Sequence, residues 1–180
     1  MTLEHIHPRR KDRSQGEDWI RALLRRGGAG VLATVDSGQP VPIPLNYVYS
    51  EARNAIYLHT ARMGGTRGNL PGPAALCVYE MGRMLPADEA LEFGVEYKSV
   101  VVFGTGSVVE DPEEAETALI LIMEKYAPHL KAGVDYRPVS PEEILRTAVL
   151  RVDIEGWSGK EKTAPPDFPG AYRFEDVREG

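Results

Sequence analysis

Groups that could hold an anion follow directly after an apolar segment in the stretch YLHTARMGGTRGNL, which runs from Tyr57 to Leu70. Hydroxyl and guanidinium groups are supplied there by Thr60, Arg62, Thr66 and Arg67. Three glycines in the same stretch would let backbone amides approach a ligand closely. Amides, hydroxyls and a guanidinium together are typical of a phosphate site. The other interpretation is a solvated surface turn, and the missing GK[ST] ending excludes a Walker A loop.

His59 is the candidate acid or base of this region, because it follows apolar Leu58 and leads into the cationic loop. It either faces a pocket, where an imidazole could move a proton, or it hydrogen-bonds at the end of a strand. The sequence has no HExxH motif and no closely spaced histidine pair, so we expect no metal site. It has no G-x-S-x-G motif, so nothing indicates a hydrolase triad.

Two further stretches combine aromatic, hydroxyl and amine groups. GWSGKE contains Trp157 and Lys160, and EYKSV contains Tyr97, Lys98 and Ser99. The indole of the first stretch could stack on a flat ligand, or it could cap the core. In the second stretch, strand alternation would point the tyrosine and the serine to one side and the lysine to the other.

The elements that must position these groups are mostly strands. A capping-box pattern at Ser14 predicts a helix that ends at Gly27. A second helix begins at Asp111 and carries an apolar stripe at helical spacing: Ala115, Ala118, Leu119, Ile122, Met123 and Tyr126. A third short helix, with a capping box at Ser140, is predicted over 139–147, and strands over 29–36, 41–50, 54–60, 74–81, 95–111 and 147–157. The connections among the first four strands are too short for helical crossovers, so the strands must pair antiparallel. Six such strands with few helices favour a closed barrel.

Prolines and glycines add detail to this scheme. Pro42 and Pro44 favour an edge or a bulge for the second strand, because proline cannot donate to a sheet ladder. Gly104 and Gly106 in GTGS indicate a bend in the long strand. They do not complete a dinucleotide fingerprint, since the motif lies inside a strand.

Composition limits the class of protein. The 180 residues suffice for one domain, which we place at 14–161 between a flexible segment 1–13 and a surface tail 162–180. A net charge of −6 predicts no nucleic-acid partner and no membrane-binding face. No apolar run approaches the roughly 20 residues of a membrane span, and the polar N-terminus is unlike a signal peptide, so we expect a cytoplasmic protein. The single cysteine, Cys77, lies in an apolar strand and is predicted to be a core thiol.

Several of these segments together resemble a known family. They are GVLATVDSGQPVPIPLNYVY, IYLHTA, ALCVYE, YKSVVVFGTGSVVED, RPVSPEEILRTAVL and WSGKE. The chain resembles the FMN-binding split-barrel proteins related to pyridoxamine 5′-phosphate oxidase, and it is most similar to their nitroimidazole-resistance (Nim) branch. This resemblance implies a mainly β fold, a six-stranded antiparallel split β-barrel with flanking helices. It also implies a homodimer with two flavin sites at the subunit interface.

The resemblance further implies a set of cofactor-binding residues. The segment Pro44–Tyr47 would line the flavin ring, and the loop from His59 to Arg67 would hold the phosphate. Residues of YKS and WSGK, from the same or the partner subunit, would close the site. Asn46 and Ser99 would hydrogen-bond the ring or the ribityl chain. The full set is Pro44, Leu45, Asn46, Tyr47, Leu58, His59, Thr60, Thr66, Arg67, Tyr97, Lys98, Ser99, Trp157 and Lys160.

The implied function is a flavin-dependent oxidoreductase in which His59 donates a proton to a small-molecule electron acceptor, such as a nitroimidazole, or orients it. The phosphate loop departs from the Nim pattern, because its lysine is absent and Arg67 falls one place late. FMN is the expected cofactor, with FAD or a deazaflavin as alternatives. The substrate motif of pyridoxamine phosphate oxidation is missing near the C-terminus. Two other functions stay open: a non-catalytic module that binds a flavin, a deazaflavin or haem, and a ligand-free structural barrel.

Overall fold

The computed structural model describes residues 9–62 and 70–178 of the chain. This part contains eight strands and three α-helices. The strands are β1 (Ser14–Gln15), β2 (Gly30–Asp36), β3 (Gln39–Leu45), β4 (Tyr47–Ser50), β5 (Ala55–Ala61), β6 (Gly72–Leu85), β7 (Gly94–Val108) and β8 (Thr147–Lys162). The helices are α1 (Glu17–Arg26), α2 (Pro112–Tyr126) and α3 (Pro141–Arg146).

All eight strands form one antiparallel sheet with the order β3-β2-β6-β7-β8-β5-β4, and β1 pairs with β8. The two outer strands, β3 and β4, follow one another in the chain and are separated only by Asn46. The sheet must therefore curl until its two edges meet end to end, as in a split barrel. The ladder itself stays open at this point, since β3 pairs with β2 and β4 pairs with β5. We call the junction between β3 and β4 at Asn46 the split.

The prediction of six strands in a closed barrel is corrected by this topology. The segment 41–50 forms two strands that lie at opposite edges of the sheet. Pro42 and Pro44 confine β3 to an edge, where their missing N–H groups cost no ladder bond, whereas β4 has no proline and pairs fully with β5. The predicted capping box at Ser14 is also wrong, because Ser14 pairs with Lys160 in β1 and α1 begins after Gly16.

Two apolar cores lie on the two faces of the curled sheet. The inner core fills the barrel beneath α1 and includes Tyr47, Leu58 and Leu150, none of which has exposed surface. The outer core lies between the sheet and α2 and includes Tyr57 and Ile122. The apolar stripe of α2 is thus buried as predicted, and α2 and α3 begin at their predicted N-caps, Asp111 and Ser140.

Two predictions about β6 and β7 have opposite outcomes. The predicted bend is confirmed, because the β7–β8 register shifts between Phe103 and Gly104. A Cβ atom at Gly104 would lie 1.8 Å from the carbonyl oxygen of Asp153, so only glycine fits there. The prediction of a core thiol at Cys77 is wrong, because Leu76 and Val78 face the inner core and the intervening cysteine is exposed on the other face.

The segment after β8 folds back onto the β6–β7 hairpin. The Arg83 guanidinium binds the Glu96 carboxylate at 2.8 Å and also donates to the carbonyl oxygens of Ala164, Pro165 and Pro166. The hydrogen bonds that Glu96 accepts, with the Arg83 contribution the largest, lower the pKa of its carboxyl to about 2. Within residues 9–62 and 70–178, no helix is both long and apolar enough to cross a membrane.

Candidate functional site

The split brings together residues from three elements. The β4–β5 register pairs Tyr47 with Leu58, and extending it by one residue sets Asn46 beside His59. The Asn46 side-chain amide is exposed and donates to the carbonyl oxygen of Gly28 at 3.3 Å. From α2, the Tyr126 hydroxyl accepts the Tyr47 N–H at 3.0 Å and donates to the same Gly28 carbonyl at 2.8 Å. A helix side chain therefore satisfies the main chain where no strand pairing is available.

Lys125 holds the same junction from α2. Its ammonium donates to the carbonyl oxygen of Tyr47 at 2.9 Å and lies 3.6 Å from the centre of the Tyr47 ring. Burial lowers the pKa of this ammonium to about 8. The Tyr47 hydroxyl is itself buried, which raises its pKa. Sequence reasoning missed Lys125 and Tyr126 as site residues, because the α2 stripe indicated only core packing for the tyrosine and nothing for the lysine.

A pocket of about 390 Å³ opens beside the split, between α2, the connection 136–139 and α3. We call it the His59 pocket, since the exposed His59 side chain lines it from the end of β5. Its size lies within the range of about 300–1,000 Å³ that is usual for small-molecule sites. Its other lining residues are Leu119, Ile122, Met123, Tyr136, Arg137, Val139, Glu143 and Thr147.

The predicted ring and phosphate residues divide between the two faces of the sheet. Leu58 lies in the inner core, and Thr60 shares its face, whereas His59 between them points toward α2. Tyr47 and Leu58 are fully buried, so only their main chain could contact a ligand. We call the accessible predicted residues Pro44, Leu45, Asn46, His59 and Thr60 the split group.

The predicted phosphate loop is only partly described. Thr66 and Arg67 lie outside the described residues, so their contacts stay a prediction. Arg62, in the same stretch, donates to the carbonyl oxygen of Leu145 at the end of α3. Thr60 is half-buried near the end of β5, on the inner face of the sheet.

The remaining predicted residues lie at the other end of β7 and β8. His59 pairs with Val149, whereas Ser99 pairs with Lys160. These two levels of β8 are eleven residues apart, which is roughly 35 Å of strand at about 3.3 Å per residue. We call Tyr97, Lys98, Ser99 and Lys160 the far group, and within one protomer it does not meet the split group.

Trp157 and Lys98 are already engaged within the protomer. The Trp157 ring packs edge-on against Tyr49, with centroids 6.2 Å apart, and the Arg21 guanidinium lies 5.1 Å from the indole centre. The Lys98 ammonium lies 3.5 Å from the Glu161 carboxylate. The indole thus packs against the core, one of the two interpretations that the sequence left open.

Tyr97, Ser99 and Lys160 share an exposed face of the sheet with apolar neighbours. The register aligns Pro44, Val31, Cys77, Val101 and Ser158 across five strands of this face. Exposed side chains on it include Val31 at 39%, Met81 at 44% and Tyr79 at 53%, and Tyr79 stacks on Tyr97 with ring centroids 6.4 Å apart. We call this surface the outer sheet face, and its apolar area is typical of an interaction surface.

The chemistry of the split group fits a flat heteroaromatic ring with an anionic tail. The exposed Asn46 amide and the His59 imidazole can hydrogen-bond the polar edge of such a ring. Thr60 precedes, along the chain, the loop that carries Thr66 and Arg67 and could hold the anionic tail. A flavin has these two parts, so the residues present fit one.

Comparison with solved structures finds folds similar to this one. The flavocytochrome Anf3 from Azotobacter vinelandii is 20% identical, covers 96% of this chain and 78% of that chain, and has a TM-score of 0.79. An FAD and haem binding protein from Mycobacterium smegmatis is 22% identical, with coverages of 94% and 80% and a TM-score of 0.76. A protein described as a 5-nitroimidazole antibiotic resistance protein from Bacteroides thetaiotaomicron is 21% identical, with coverages of 82% and 90% and a TM-score of 0.62. Identities this low show a shared fold alone.

A curled antiparallel sheet with a split and a ligand-sized pocket beside it defines a protein of the split-barrel class. The sequence profile of the pyridoxamine 5′-phosphate oxidase family matches residues 16–161. The chain therefore belongs to this family, as its sequence resemblance predicted. No curated protein matches the sequence.

Proposed function

We propose that this protein is a flavin-dependent oxidoreductase that binds its flavin between two copies of the chain. The observation that carries the proposal is the separation of the predicted residues into a split group and a far group. Within one protomer the level of His59 and the level of Ser99 and Lys160 are roughly 35 Å apart along β8, so a site that joins His59 to the far group needs a subunit contact. The outer sheet face supports such a contact, since exposed apolar patches mark association surfaces.

In this proposal the flavin ring lies along the main chain of Pro44 and Leu45, with its polar edge toward the Asn46 amide. Thr60, Thr66 and Arg67 hold the phosphate, because hydroxyls and a guanidinium make charge-assisted hydrogen bonds to its oxygens. The far group of the second copy completes the site, with Ser99 of the partner subunit as a hydrogen-bond donor and Lys160 of the partner subunit as a cation. Tyr47, Leu58 and Trp157 contribute by packing and main-chain groups.

A bound flavin would supply the electrons for reduction of an acceptor, while the protein supplies position and protons. The His59 imidazole would donate a proton to a small-molecule acceptor that enters the His59 pocket. The Nim-like sequence and the fold similarity to a protein described as a nitroimidazole resistance protein support a nitro group as that acceptor.

The identity of the flavin is a separate part of the proposal. The sequence resemblance supports FMN, whereas one of the similar structures is described as an FAD and haem binding protein. Mass spectrometry of the ligand released from denatured protein distinguishes FMN, FAD and a deazaflavin directly. Colourless protein that takes up none of the three would contradict the proposal.

Turnover tests the oxidoreductase activity. Purified protein with NADH or NADPH should reduce a nitroaromatic compound, and the His59→Ala variant should lose about 10²–10⁴-fold in rate, the usual contribution of a general acid. His129→Ala is the matched control, because His129 is exposed in the loop after α2 and does not line the His59 pocket. Equal rates in both variants would exclude His59 as the proton donor.

A second candidate function is a non-catalytic module that binds a flavin, a deazaflavin or haem. The similar structures described as a flavocytochrome and as an FAD and haem binding protein favour it. In that case reduced flavin in the protein would be oxidised by oxygen faster than by any added acceptor. Acceptor-dependent oxidation that exceeds the rate with oxygen would favour the enzyme.

A further inference from the structure

A pocket of about 230 Å³ lies beside the far group, where the β6–β7 hairpin and the end of β8 meet the C-terminal segment. Tyr97 and Lys98 of the far group line it, and so do Lys162, Thr163 and Arg173. We call it the Arg173 pocket. It is smaller than the range of about 300–1,000 Å³ that is usual for whole small-molecule ligands, so it suits one group of a larger ligand.

The Arg173 pocket carries an excess of positive charge. Glu80 and Glu96 also line it, but each is already paired with an arginine outside the pocket, at 2.9 and 2.8 Å. The Lys98 ammonium is likewise bound to a carboxylate, at 3.5 Å. The Lys162 ammonium and the Arg173 guanidinium form no ion pair with any residue in 9–62 or 70–178. Within the described chain, the charges of these two cations are therefore available for a ligand.

Main-chain pairing holds both cations in place. Lys162 pairs with Tyr97 in the β7–β8 ladder. Arg173 follows Tyr172, whose carbonyl oxygen accepts the Met84 N–H at 2.7 Å and whose N–H donates to the Met84 carbonyl oxygen at 3.3 Å. This bridge joins the C-terminal segment to β6. Groups on an anchored main chain lose less freedom when they bind, which favours a ligand site over a merely solvated surface.

Two unpaired cations and a hydroxyl suit the phosphate of a monoester. Such a group carries nearly two negative charges at neutral pH and three acceptor oxygens. A guanidinium binds phosphate oxygens through two parallel hydrogen bonds, and Lys162 and Thr163 add an ammonium and a hydroxyl. A carboxylate or a phosphodiester carries one charge and would leave one of the two cations uncompensated.

The position of the pocket indicates a ligand that works with the flavin. Lys162 lies two residues beyond Lys160 on β8, which is about 7 Å of strand. In the proposed dimer Lys160 reaches the flavin held by the other copy, so a ligand anchored in the Arg173 pocket lies beside that flavin. A nicotinamide nucleotide must reach the same place, and NADPH differs from NADH by one phosphate monoester on its adenosine ribose. Arginine accommodates this 2′-phosphate in other nucleotide-binding folds.

We propose that the Arg173 pocket binds the 2′-phosphate of NADPH, with Arg173 and Lys162 as its cationic partners, and thereby selects NADPH over NADH. This inference rests on the proposed function, since it names the electron donor of the same flavin site.

Calorimetric titration of the purified, flavin-loaded protein tests the inference through binding rather than turnover. The probes are NADP⁺ and NAD⁺, which differ only in the 2′-phosphate and cannot reduce the flavin. NADP⁺ should bind at least ~10-fold more tightly than NAD⁺, the gain expected from a charge-assisted hydrogen bond. Arg173→Gln and Lys162→Met should each weaken NADP⁺ binding roughly 10-fold and leave NAD⁺ binding unchanged.

Arg178→Gln is the matched control, because Arg178 is exposed in the same C-terminal segment and does not line the pocket. It should bind both nucleotides as the unaltered protein does. Equal affinity for NADP⁺ and NAD⁺, or binding of neither, would overturn the inference. A preference for NADP⁺ that survives in both pocket variants would overturn it as well.

Flavin content measured in the same samples separates this inference from the proposed function. Loss of FMN or FAD from Arg173→Gln would overturn the inference, because the pocket would then hold a phosphate of the flavin itself. If no preference for NADP⁺ is found while the protein carries flavin and His59→Ala loses nitroaromatic turnover, the inference is wrong and the proposed function stands. A preference for NADP⁺ that depends on Arg173, in protein unable to bind flavin, would support the phosphate site and contradict the proposed flavin-dependent function.

Discussion

The Tyr126 hydroxyl is the group whose removal tests the architecture of the split most sharply. It accepts the Tyr47 N–H at 3.0 Å and donates to the Gly28 carbonyl at 2.8 Å, so it joins α2 to both chain segments at the junction. Tyr126→Phe keeps the ring and removes both hydrogen bonds. The Tyr47 N–H is then left without its partner beside a side chain that has no exposed surface.

The expected loss follows from these contacts. A typical hydrogen bond contributes about 0.5–1.5 kcal/mol, and an unsatisfied buried donor costs about 1–3 kcal/mol. Water can reach the Gly28 carbonyl, since the exposed Asn46 amide still binds it. We therefore expect a loss of about 1.5 kcal/mol in the free energy of unfolding. For a chain of 180 residues this is a fall of about 3–6 °C in Tm.

Urea denaturation followed by circular dichroism measures this loss, with Tyr172→Phe as the matched control. Tyr172 is half-buried in the C-terminal segment, and within the described residues its hydroxyl makes no hydrogen bond. The control should change the free energy of unfolding by less than about 0.5 kcal/mol. If Tyr126→Phe is no more destabilising than Tyr172→Phe, the α2 side chain does not hold the split, and the reasoning fails.

Three other variants test separate parts of the structure. Burial lowers the pKa of the Lys125 ammonium to about 8 in the folded protein, whereas in the unfolded chain this ammonium stays protonated up to about pH 10.5. The free energy of unfolding should therefore rise between pH 8 and 10.5, and Lys125→Met should flatten this rise. An equally steep rise in the variant would contradict this. Gly104→Ala should lower the free energy of unfolding by about 1–3 kcal/mol in urea denaturation, because the added Cβ meets the main chain of β8. Gly28→Ala is the control, because a Cβ there has open space, and an equal loss in both variants would refute this reason. Val101→Glu on the outer sheet face should give monomers in light scattering while Ile120→Glu on α2 stays dimeric; a dimeric Val101 variant would count against the proposed interface.

The sequence correctly predicted those helices and strands whose hydrophobic pattern allows only one interpretation. The stripe of α2 and its Asp111 cap were sufficient because only one helix face is apolar there. Cys77 was placed wrongly because ALCVYE is apolar on both strand faces, so alternation cannot tell which parity faces the core. The split at Asn46 was missed for a related reason: β3 and β4 are both extended, and only the pairing partners reveal that they belong to opposite edges.

Site prediction was limited by what a linear pattern can report. It named His59 and Asn46, and the β4–β5 register, extended by one residue, sets them side by side. It could not show that the far group lies eleven residues along β8 from His59, because that distance depends on which strands pair. It also missed Lys125 and Tyr126, whose roles arise from tertiary packing of α2 on the junction.

Native mass spectrometry of the purified protein tests the central claim most directly, because one spectrum reports subunit number and bound ligand together. A flavin held between two copies predicts a dimer that carries two flavins, and a Val101→Glu monomer that carries none. A monomer with a flavin at full occupancy would contradict the account, as would a dimer that stays free of flavin after incubation with FMN and FAD.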